Sequence, residues 1–284
     1  MPPSPEIVLI DGVAWKRAAG GVSPYDRGLQ FGDGLFETIA CRAGIPRFLS
    51  WHLERLSLGC ERLRMGLPDL PQIRDEVRML ASSAQNSLVK IMLTRGVATA
   101  RGYAPSGHEK PTRVTFRYPW PHENPTWSQD GVRVRVASLR VGENPALAGL
   151  KHLNRLEQIL ARLESNDGEE SLLFGSSGRL VSGTMSNVFV VRDSRLLTPR
   201  LDSFGVSGIM RRVVLAEAAL LGIEAEECDL RADDLAAAGE VFLTNARIGI
   251  WPVREIDSRT LKPGPITRAL QSRLAPLLEE PPDA

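Results

Sequence analysis

The chain is 284 residues long, a length that fits one large domain or two small ones. Hydrophobic residues make up 43% of it and charged residues 24%, proportions typical of a globular protein and unlike those of a disordered one. The formal net charge is only +1, so the chain lacks the surplus of Lys and Arg that non-specific binding to nucleic acid requires. We therefore expect a globular protein that does not bind nucleic acid.

Neither a membrane segment nor a metal site is expected. The longest stretch without a charged residue, 180–191, spans twelve residues, whereas a membrane-spanning helix needs about 20 apolar residues. The N-terminus has no basic stretch followed by an apolar one, so no secretory signal is predicted. Cys41, Cys60 and Cys228 are too far apart for a zinc motif, and the histidines show no metal-ligand spacing. Free thiols in a reducing compartment are the simplest interpretation, which favours the cytoplasm.

The N-terminal part of the chain predicts strands mixed with helices. Asp11-Gly12 lies between two apolar runs and predicts a hairpin, since both residues tolerate the positive φ angles of a tight turn. Apolar residues at 53, 56, 60 and 63 recur at helical spacing. The predicted elements are strands at 7–10 and 13–16, helices at 51–65 and 71–84, and strands at 88–94 and 113–118.

A proline-rich stretch separates this part from the rest. Pro119, Pro121 and Pro125 fit neither a central strand nor a helix interior. They predict a linker at 119–128 between an N-terminal domain, 1–118, and a larger domain, 129–284.

Strands and helices are also mixed in the C-terminal part. The mixture favours α+β domains over a doubly wound parallel sheet. The predicted elements are a strand at 132–136, a helix directly after Lys151 with Leu153, Leu156, Leu160 and Leu163 along one face, strands at 171–174 and 188–191, a helix at 209–221 that ends at Gly222, and a strand at 240–244.

One segment is a candidate anion site. Residues 204–210 are small or apolar and run into the predicted helix near Ile209. The first amides of a helix have no intrahelical acceptor, and the helix dipole favours an anion such as phosphate there. A Ser-Gly helix start without any ligand would give the same pattern.

Lys151 is a candidate nucleophile. It follows the small and apolar residues 146–150 and opens the predicted helix. Burial disfavours the ammonium form, and a neutral amine is a base and can form a Schiff base with an aldehyde cofactor. A solvated lysine at a helix start is the alternative.

Four arginines lie in or near glycine-containing segments: Arg27, Arg55, Arg95 and Arg101. Arginine binds carboxylates and phosphates through paired hydrogen bonds, so the group could serve a polyanionic ligand. Ion pairs at the surface would explain the same residues.

Several motifs resemble, in order, the fold-type IV family of pyridoxal-phosphate enzymes, which includes branched-chain and D-amino-acid aminotransferases. The resemblance spans about residues 5–255. It implies an α+β, D-amino-acid aminotransferase-like fold with a barrel-like sheet in the larger domain, and the cofactor at the interface of the two domains. It also implies a homodimer in which a loop of the partner completes the pocket. The motifs are DRGLQFGDGLFET at 26–38, HLERL at 52–56, TRG at 94–96, RGY at 101–103, LAGLKHLNRLEQ at 147–158, SNVF at 186–189 and GVSGIMR at 205–211.

The resemblance assigns roles to individual residues. Lys151 would be the Schiff-base lysine and the proton-transfer base, and Thr38 would help to protonate the departing group. Arg95 and Arg101 would face two carboxylates of the substrate. The expected cofactor-binding residues, besides Lys151, are Arg55, Ser182, Asn187, Asn245 and Ala246, together with the backbone amides of Ile209 and Met210.

Ser182 departs from the family pattern. The family has a glutamate at this position, five residues before Asn187, where it pairs with the pyridine nitrogen. A serine supplies no charge, and a lost charge-assisted hydrogen bond costs about 1.5–3 kcal/mol. We expect a weaker electron sink, unless another group compensates.

The run LAGLKHLNRLEQ is specific to the lyase branch of the family. It implies conversion of 4-amino-4-deoxychorismate to 4-aminobenzoate and pyruvate, through an external aldimine of pyridoxal 5'-phosphate, in folate biosynthesis. The alternatives are a fold-type IV aminotransferase that uses the same lysine, and an inactive cofactor-binding protein, which only Ser182 favours.

Overall fold

The computed structural model describes residues 4–16, 21–98, 101–122, 124–164 and 170–279. The chain divides into two compact units. Unit 1 comprises Met1–His122, Leu150–Asn154 and Glu279–Ala284, and unit 2 comprises Glu123–Gly149 and Arg155–Leu278. The predicted domain boundaries assign residues 150–154 to the C-terminal domain, whereas the structure assigns them to unit 1, because their backbone is hydrogen-bonded to residues 34–36.

Unit 1 contains a six-stranded antiparallel sheet in the order β2-β1-β6-β5-β3-β4. The predicted hairpin is confirmed, since Ile10 pairs with Val13 and both turn residues have positive φ. The elements are β1 (Ile7–Ile10), β2 (Val13–Ala14), α1 (Arg27–Phe31), β3 (Gly34–Arg42), β4 (Ile45–Pro46), α2 (Leu49–Arg62), α3 (Leu70–Ser82), β5 (Asn86–Thr94) and β6 (Thr112–Pro119).

The core of unit 1 is formed by helices α2 and α3 together with one face of this sheet. The sequence spacing that predicted α2 is also the spacing of its buried residues, which include Leu53, Leu56 and Cys60. From the sheet, alternate residues such as Ile39 and Ile91 enter the same core and are fully buried. The opposite face of the sheet carries the residues between them.

Unit 2 contains a mixed nine-stranded sheet in the order β12-β11-β10-β13-β14-β7-β8-β9, with β15 paired to β14. Its core includes the stacked rings of Phe189 and Phe242, 4.9 Å apart on neighbouring strands. The elements are α4 (Trp127–Asp130), β7 (Val132–Val141), α5 (Leu156–Leu163), β8 (Glu170–Gly175), β9 (Leu180–Gly183), β10 (Asn187–Arg192), β11 (Arg195–Pro199), α6 (Ile209–Leu220), β12 (Ala225–Cys228), α7 (Ala232–Ala236), β13 (Glu240–Asn245), β14 (Gly249–Ile256), β15 (Arg259–Thr260) and α8 (Pro265–Glu279).

The helix predicted directly after Lys151 is wrong at its start. Helix α5 begins only at Leu156, because the preceding backbone is paired with β3 and is extended. The leucines at 156, 160 and 163 are 73%, 50% and 73% exposed, so their shared face is not part of the core of this chain. Among the described helices, none combines the length and the hydropathy needed to cross a membrane.

Candidate active site

Lys151 lies in an extended segment, Leu150–Asn154, that pairs with the start of β3. The Phe36 amide donates a hydrogen bond to the Lys151 carbonyl (2.9 Å), and the Leu153 amide donates one to the Gly34 carbonyl (2.9 Å). A Cβ on Gly34 would lie 2.4 Å from the Leu93 carbonyl oxygen on β5 and 2.8 Å from the Leu153 side chain, so glycine is needed where these segments meet. The pairing fixes the backbone that carries the Lys151 side chain.

Two amines lie close to one aromatic ring in unit 1. The Nζ of Lys151 is 4.2 Å from the centroid of the Phe36 ring, and the Nζ of Lys90 is 5.4 Å from the same centroid. Phe36 and Thr38 are two residues apart and therefore lie on the same face of β3. Thr38 pairs with Lys90 on β5. This face of the sheet therefore presents two amines and one hydroxyl.

Lys90 belongs to this cluster but was missed by the sequence analysis. Burial lowers the pKa of its amine. The alternation of residues 88–92 places Lys90 on one face of a strand, but only the pairing with β3 shows that this is the face of Thr38. No sequence pattern supplies that pairing.

The opposite face of β3 carries a buried carboxylate, Glu37, that binds two side chains of α2. Its Oε1 accepts a hydrogen bond from Arg55 Nε (2.8 Å), and its Oε2 contacts both Arg55 Nη2 and His52 Nδ1, the latter at 2.7 Å. Burial by itself raises the pKa of a carboxyl, but Arg55 and His52 outweigh it and lower the pKa of Glu37 to about 2. Arg55, an expected phosphate ligand, is thus half of a buried ion pair.

Helix α6 begins at Ile209, where the sequence predicts a helix and proposes an anion site. Gly208 is the N-cap residue, and no side chain caps the helix there. The amides of Ile209 and Met210 belong to the first turn, where intrahelical acceptors are lacking. A Cβ on Gly208 would lie 2.0 Å from the Asn187 side-chain oxygen, and the Asn187 amide donates to the Val206 carbonyl (2.9 Å). Asn187 therefore holds the loop that precedes the helix.

Ser182 is half-buried on β9, and its hydroxyl donates to the Gly183 carbonyl (2.8 Å). A carboxylate on β8 nevertheless contacts the turn that follows β9. Glu170 is buried and accepts hydrogen bonds from the Thr184 amide (3.0 Å), the Met185 amide (3.1 Å) and the Ser186 hydroxyl (2.9 Å). It orders the turn between Ser182 and the start of β10.

Asn245 organises the loop between β13 and β14. Its side-chain oxygen accepts from the amides of Arg247 (2.9 Å) and Ile248 (3.0 Å), and its amide donates to the Met185 carbonyl (3.1 Å). Ala246 lies within this loop and is half-buried. Asn245 is thus linked by a hydrogen bond to the turn that Glu170 orders.

Arg95 does not have the environment expected of a substrate ligand. It is buried, with two nitrogens on Asp33 at 2.7 and 3.0 Å, and it donates to the carbonyls of Leu63 and Arg64 at the end of α2 (both 2.9 Å). These bonds engage all three of its donor nitrogens. The expectation that Arg95 binds a carboxylate of the substrate is corrected: its hydrogen bonds connect α2 to the loop after α1.

Arg101 is exposed, next to a segment that Arg27 anchors. The Arg27 guanidinium donates to the carbonyls of Gly102 (3.3 Å) and Tyr103 (2.7 Å) and also pairs with Asp33 at 2.8 Å. Of the two arginines expected to meet substrate carboxylates, only Arg101 presents its side chain to solvent.

The sequence matches the signature of the amino-transferase class IV family over residues 34–256. The chain is 34% identical over 255 residues to an aminodeoxychorismate lyase from Vibrio harveyi, covering 88% of this chain and 94% of that protein. It is also 28% identical over 277 residues to a D-alanine aminotransferase from Bacillus licheniformis, covering 94% and 95%.

A solved structure gives the same picture. The crystal structure of 4-amino-4-deoxychorismate lyase from Pseudomonas aeruginosa is 41% identical in sequence and superimposes with a TM-score of 0.90, over 96% of this chain and 99% of that one. The expected fold class is thereby confirmed.

We expect Arg95→Met to lower the stability of the protein. The substitution leaves Asp33 with Arg27 alone and removes the donor to the carbonyls of Leu63 and Arg64, and each lost hydrogen bond to a charged group costs about 1.5–3 kcal/mol. Thermal unfolding followed by circular dichroism measures the loss, with the exposed Arg101→Met as the matched control. A melting temperature equal to that of the wild type would contradict the structural role.

Proposed function

We propose that this chain, which belongs to the amino-transferase class IV family, is a lyase that converts 4-amino-4-deoxychorismate to 4-aminobenzoate and pyruvate. The observation that carries the proposal is the position of Lys151, whose amine lies beside the Phe36 ring on the face of β3 that also carries Thr38. The similarity to lyases from Vibrio harveyi and Pseudomonas aeruginosa supports the same reaction. Its product, 4-aminobenzoate, places the reaction in folate biosynthesis.

The cofactor is pyridoxal 5'-phosphate, and most of the residues present fit it. Lys151 provides the amine for its aldehyde. Arg55 would bind the phosphate, and so would the amides of Ile209 and Met210, because no side chain caps the start of α6 and the amides of its first turn lack intrahelical acceptors. When bound, the cofactor supplies an electron sink for the substrate carbon that carries the amino group.

The remaining cofactor residues are assigned to the ring side and to the loops around it. We assign Ser182 to the pyridine nitrogen, and Asn187, Asn245 and Ala246 to the walls of the site. Ser182 is the one poor fit, since its hydroxyl brings no charge. The charge of Glu170 is the nearest candidate for compensation within the same hydrogen-bonded segment.

Two side chains of unit 1, Lys151 and Thr38, each carry out one proton transfer. Lys151 Nζ takes the proton from the substrate carbon that bears the amino group, and the neighbouring aromatic ring shields the amine from water. Thr38 Oγ1, or a water that it orders, donates a proton towards the departing pyruvate. Lys90 and Arg101 are the cations that we assign to the two carboxylates of the substrate.

We expect Lys151→Ala to abolish product formation, because this one amine is assigned both to the cofactor and to the proton transfer. Loss of a positioned base alone costs about 10²–10⁴-fold in rate. Enzymatically made aminodeoxychorismate is supplied to the purified protein, and 4-aminobenzoate is followed by its fluorescence. Lys262→Ala, at an exposed lysine of unit 2, is the control.

A second outcome of that assay separates the lyase from an aminotransferase, the activity named for the Bacillus licheniformis relative. If the wild type makes no 4-aminobenzoate but converts a 2-oxo acid in the presence of an amino donor, the lyase proposal is wrong. If the cofactor is bound and neither reaction occurs, the protein is an inactive binding protein and Ser182 is the first residue to substitute.

We expect Lys90→Met to weaken substrate binding more than turnover. Its amine shares the face of Thr38, so it meets the substrate rather than the core. A hydrogen bond to a charged group is worth about 1.5–3 kcal/mol, which corresponds to a rise in KM of about 10- to 100-fold. Steady-state kinetics measure the change, and Lys90→Arg should restore part of it. A fall in kcat at unchanged KM would contradict the assignment.

We further propose that the protein is a homodimer whose interface includes α5. Leu156, Ile159, Leu160 and Leu163 are at least half exposed along this helix, an apolar surface of the kind that subunit interfaces cover. We expect Leu156→Glu with Leu163→Glu to shift sedimentation from dimer to monomer, whereas Leu220→Glu, at an exposed leucine of α6, should not. A monomeric wild type would contradict the proposal.

We also propose that the protein is located in the cytoplasm and binds no nucleic acid. The free thiols of Cys41, Cys60 and Cys228 support a cytoplasmic location. The net charge of +1 supports a protein that acts on a small molecule and does not bind nucleic acid.

A further inference from the structure

The carboxylate of Glu37 is the centre of a buried three-residue cluster formed with His52 and Arg55. Glu37 and His52 are almost completely buried, and the Arg55 side chain is 12% exposed. The two carboxylate oxygens bind two nitrogens of the guanidinium, in the fork geometry that arginine and a carboxylate favour. His52 binds the oxygen that the Arg55 Nη2 also contacts.

The charge states of the cluster follow from its contacts. Glu37 is ionised, because Arg55 neutralises it. Burial lowers the pKa of His52 although Glu37 opposes the shift, so the imidazole is neutral at pH 7. A carboxylate accepts hydrogen bonds only, and therefore the proton of the neutral ring lies on Nδ1 and is donated to Glu37. Within the described part of the chain, the other ring nitrogen, Nε2, has no hydrogen-bond partner.

The geometry of the cluster restrains Arg55 in a way that one contact could not. Arg55 and His52 are three residues apart on α2 and so lie on the same side of the helix, and Glu37 approaches them from β3. With Nε and Nη2 both on Glu37, the guanidinium can neither rotate about its axis nor tilt, and its third nitrogen keeps one direction.

Stability alone is a weak reason for such a cluster. Replacing a buried ion pair by apolar side chains is often neutral or stabilising, because removing the charges from water costs as much as their attraction returns. Two charged side chains and one imidazole therefore need a reason that apolar residues could not supply.

We propose that Glu37 and His52 are positioning residues that hold Arg55 in the orientation required to bind the phosphate of the cofactor. The inference rests on the proposed function, since it assumes that Arg55 is a phosphate ligand. Glu37 fixes the plane of the Arg55 guanidinium through two hydrogen bonds. His52 in turn holds the Glu37 carboxylate in place.

The test compares two forms of the cofactor on the full-length protein. Cofactor-free protein is titrated with pyridoxal phosphate and with pyridoxal, which has the same aldehyde but no phosphate, and binding is followed by visible absorbance. We expect Glu37→Gln and Arg55→Met each to weaken the binding of pyridoxal phosphate by about 10- to 100-fold. The binding of pyridoxal should be unchanged. The double variant should bind no more weakly than Arg55→Met, since Glu37 acts only through Arg55.

A second buried pair of unit 1 provides the matched control. Glu76 on α3 accepts hydrogen bonds from the same two guanidinium nitrogens of Arg113 on β6, Nε (3.0 Å) and Nη2. Glu76→Gln should lower the melting temperature and leave the preference for pyridoxal phosphate over pyridoxal unchanged. The phosphorus resonance of the bound phosphate should shift in Glu37→Gln and stay in place in Glu76→Gln.

Substitution of His52 tests the cluster without removing its charges. His52→Asn keeps an amide donor where Nδ1 lies and should retain the wild-type preference for pyridoxal phosphate. His52→Phe removes the donor and should lose part of the preference. These two variants keep the inference testable if Glu37→Gln does not fold.

The outcomes separate the inference from the proposed function. If the wild type binds neither form, or binds both equally, the proposed cofactor site is wrong. If the wild type prefers pyridoxal phosphate and Glu37→Gln keeps that preference with an unshifted phosphorus resonance, only the positioning role is wrong. Tighter binding by Glu37→Gln would also overturn it, because Glu37 would then merely compete with the phosphate for Arg55.

Discussion

The alternation of side chains along β3 is the constraint on which the site in unit 1 depends. Successive residues of a strand point to opposite faces, so Glu37 enters the core beneath α2 while Phe36 and Thr38 stay on the other face. The same strand also holds Lys151 through the backbone bond from Phe36. A shift of β3 by one residue would exchange the two sets and would remove both the anchor of Arg55 and the surroundings of Lys151.

Carboxylates with little exposure to solvent fix several arginines and a turn in this protein. Asp33 holds Arg27 and Arg95, Glu37 holds Arg55, and Glu170 holds the turn before β10. Each carboxylate is fully engaged by donors, which offsets the cost of taking its charge out of water. The result is a set of arginines and turns with fixed orientation, which electrostatic catalysis requires.

Local patterns in the sequence predict those parts of the fold that depend on local physics. Asp11-Gly12 predicts its hairpin because the turn needs positive φ, and the spacing of Leu53 and Leu56 predicts α2 because one face is buried. The helix expected at Lys151 fails because tertiary pairing with β3 overrides local preference. The leucines of α5 keep helical periodicity yet are exposed, since periodicity reports an apolar face and not what covers it.

The site residues follow the same division. Lys151 and the start of α6 can be proposed from the sequence, but Lys90 needs the pairing of β3 with β5, and the contacts of Arg95 need its partner Asp33. Two lysines lie near the same Phe36 ring, and the account assigns the cofactor to only one of them. Reduction of the purified protein with borohydride, followed by peptide mass spectrometry, would fix the cofactor to its lysine. We expect modification of Lys151. Modification of Lys90, or of no lysine, would contradict it.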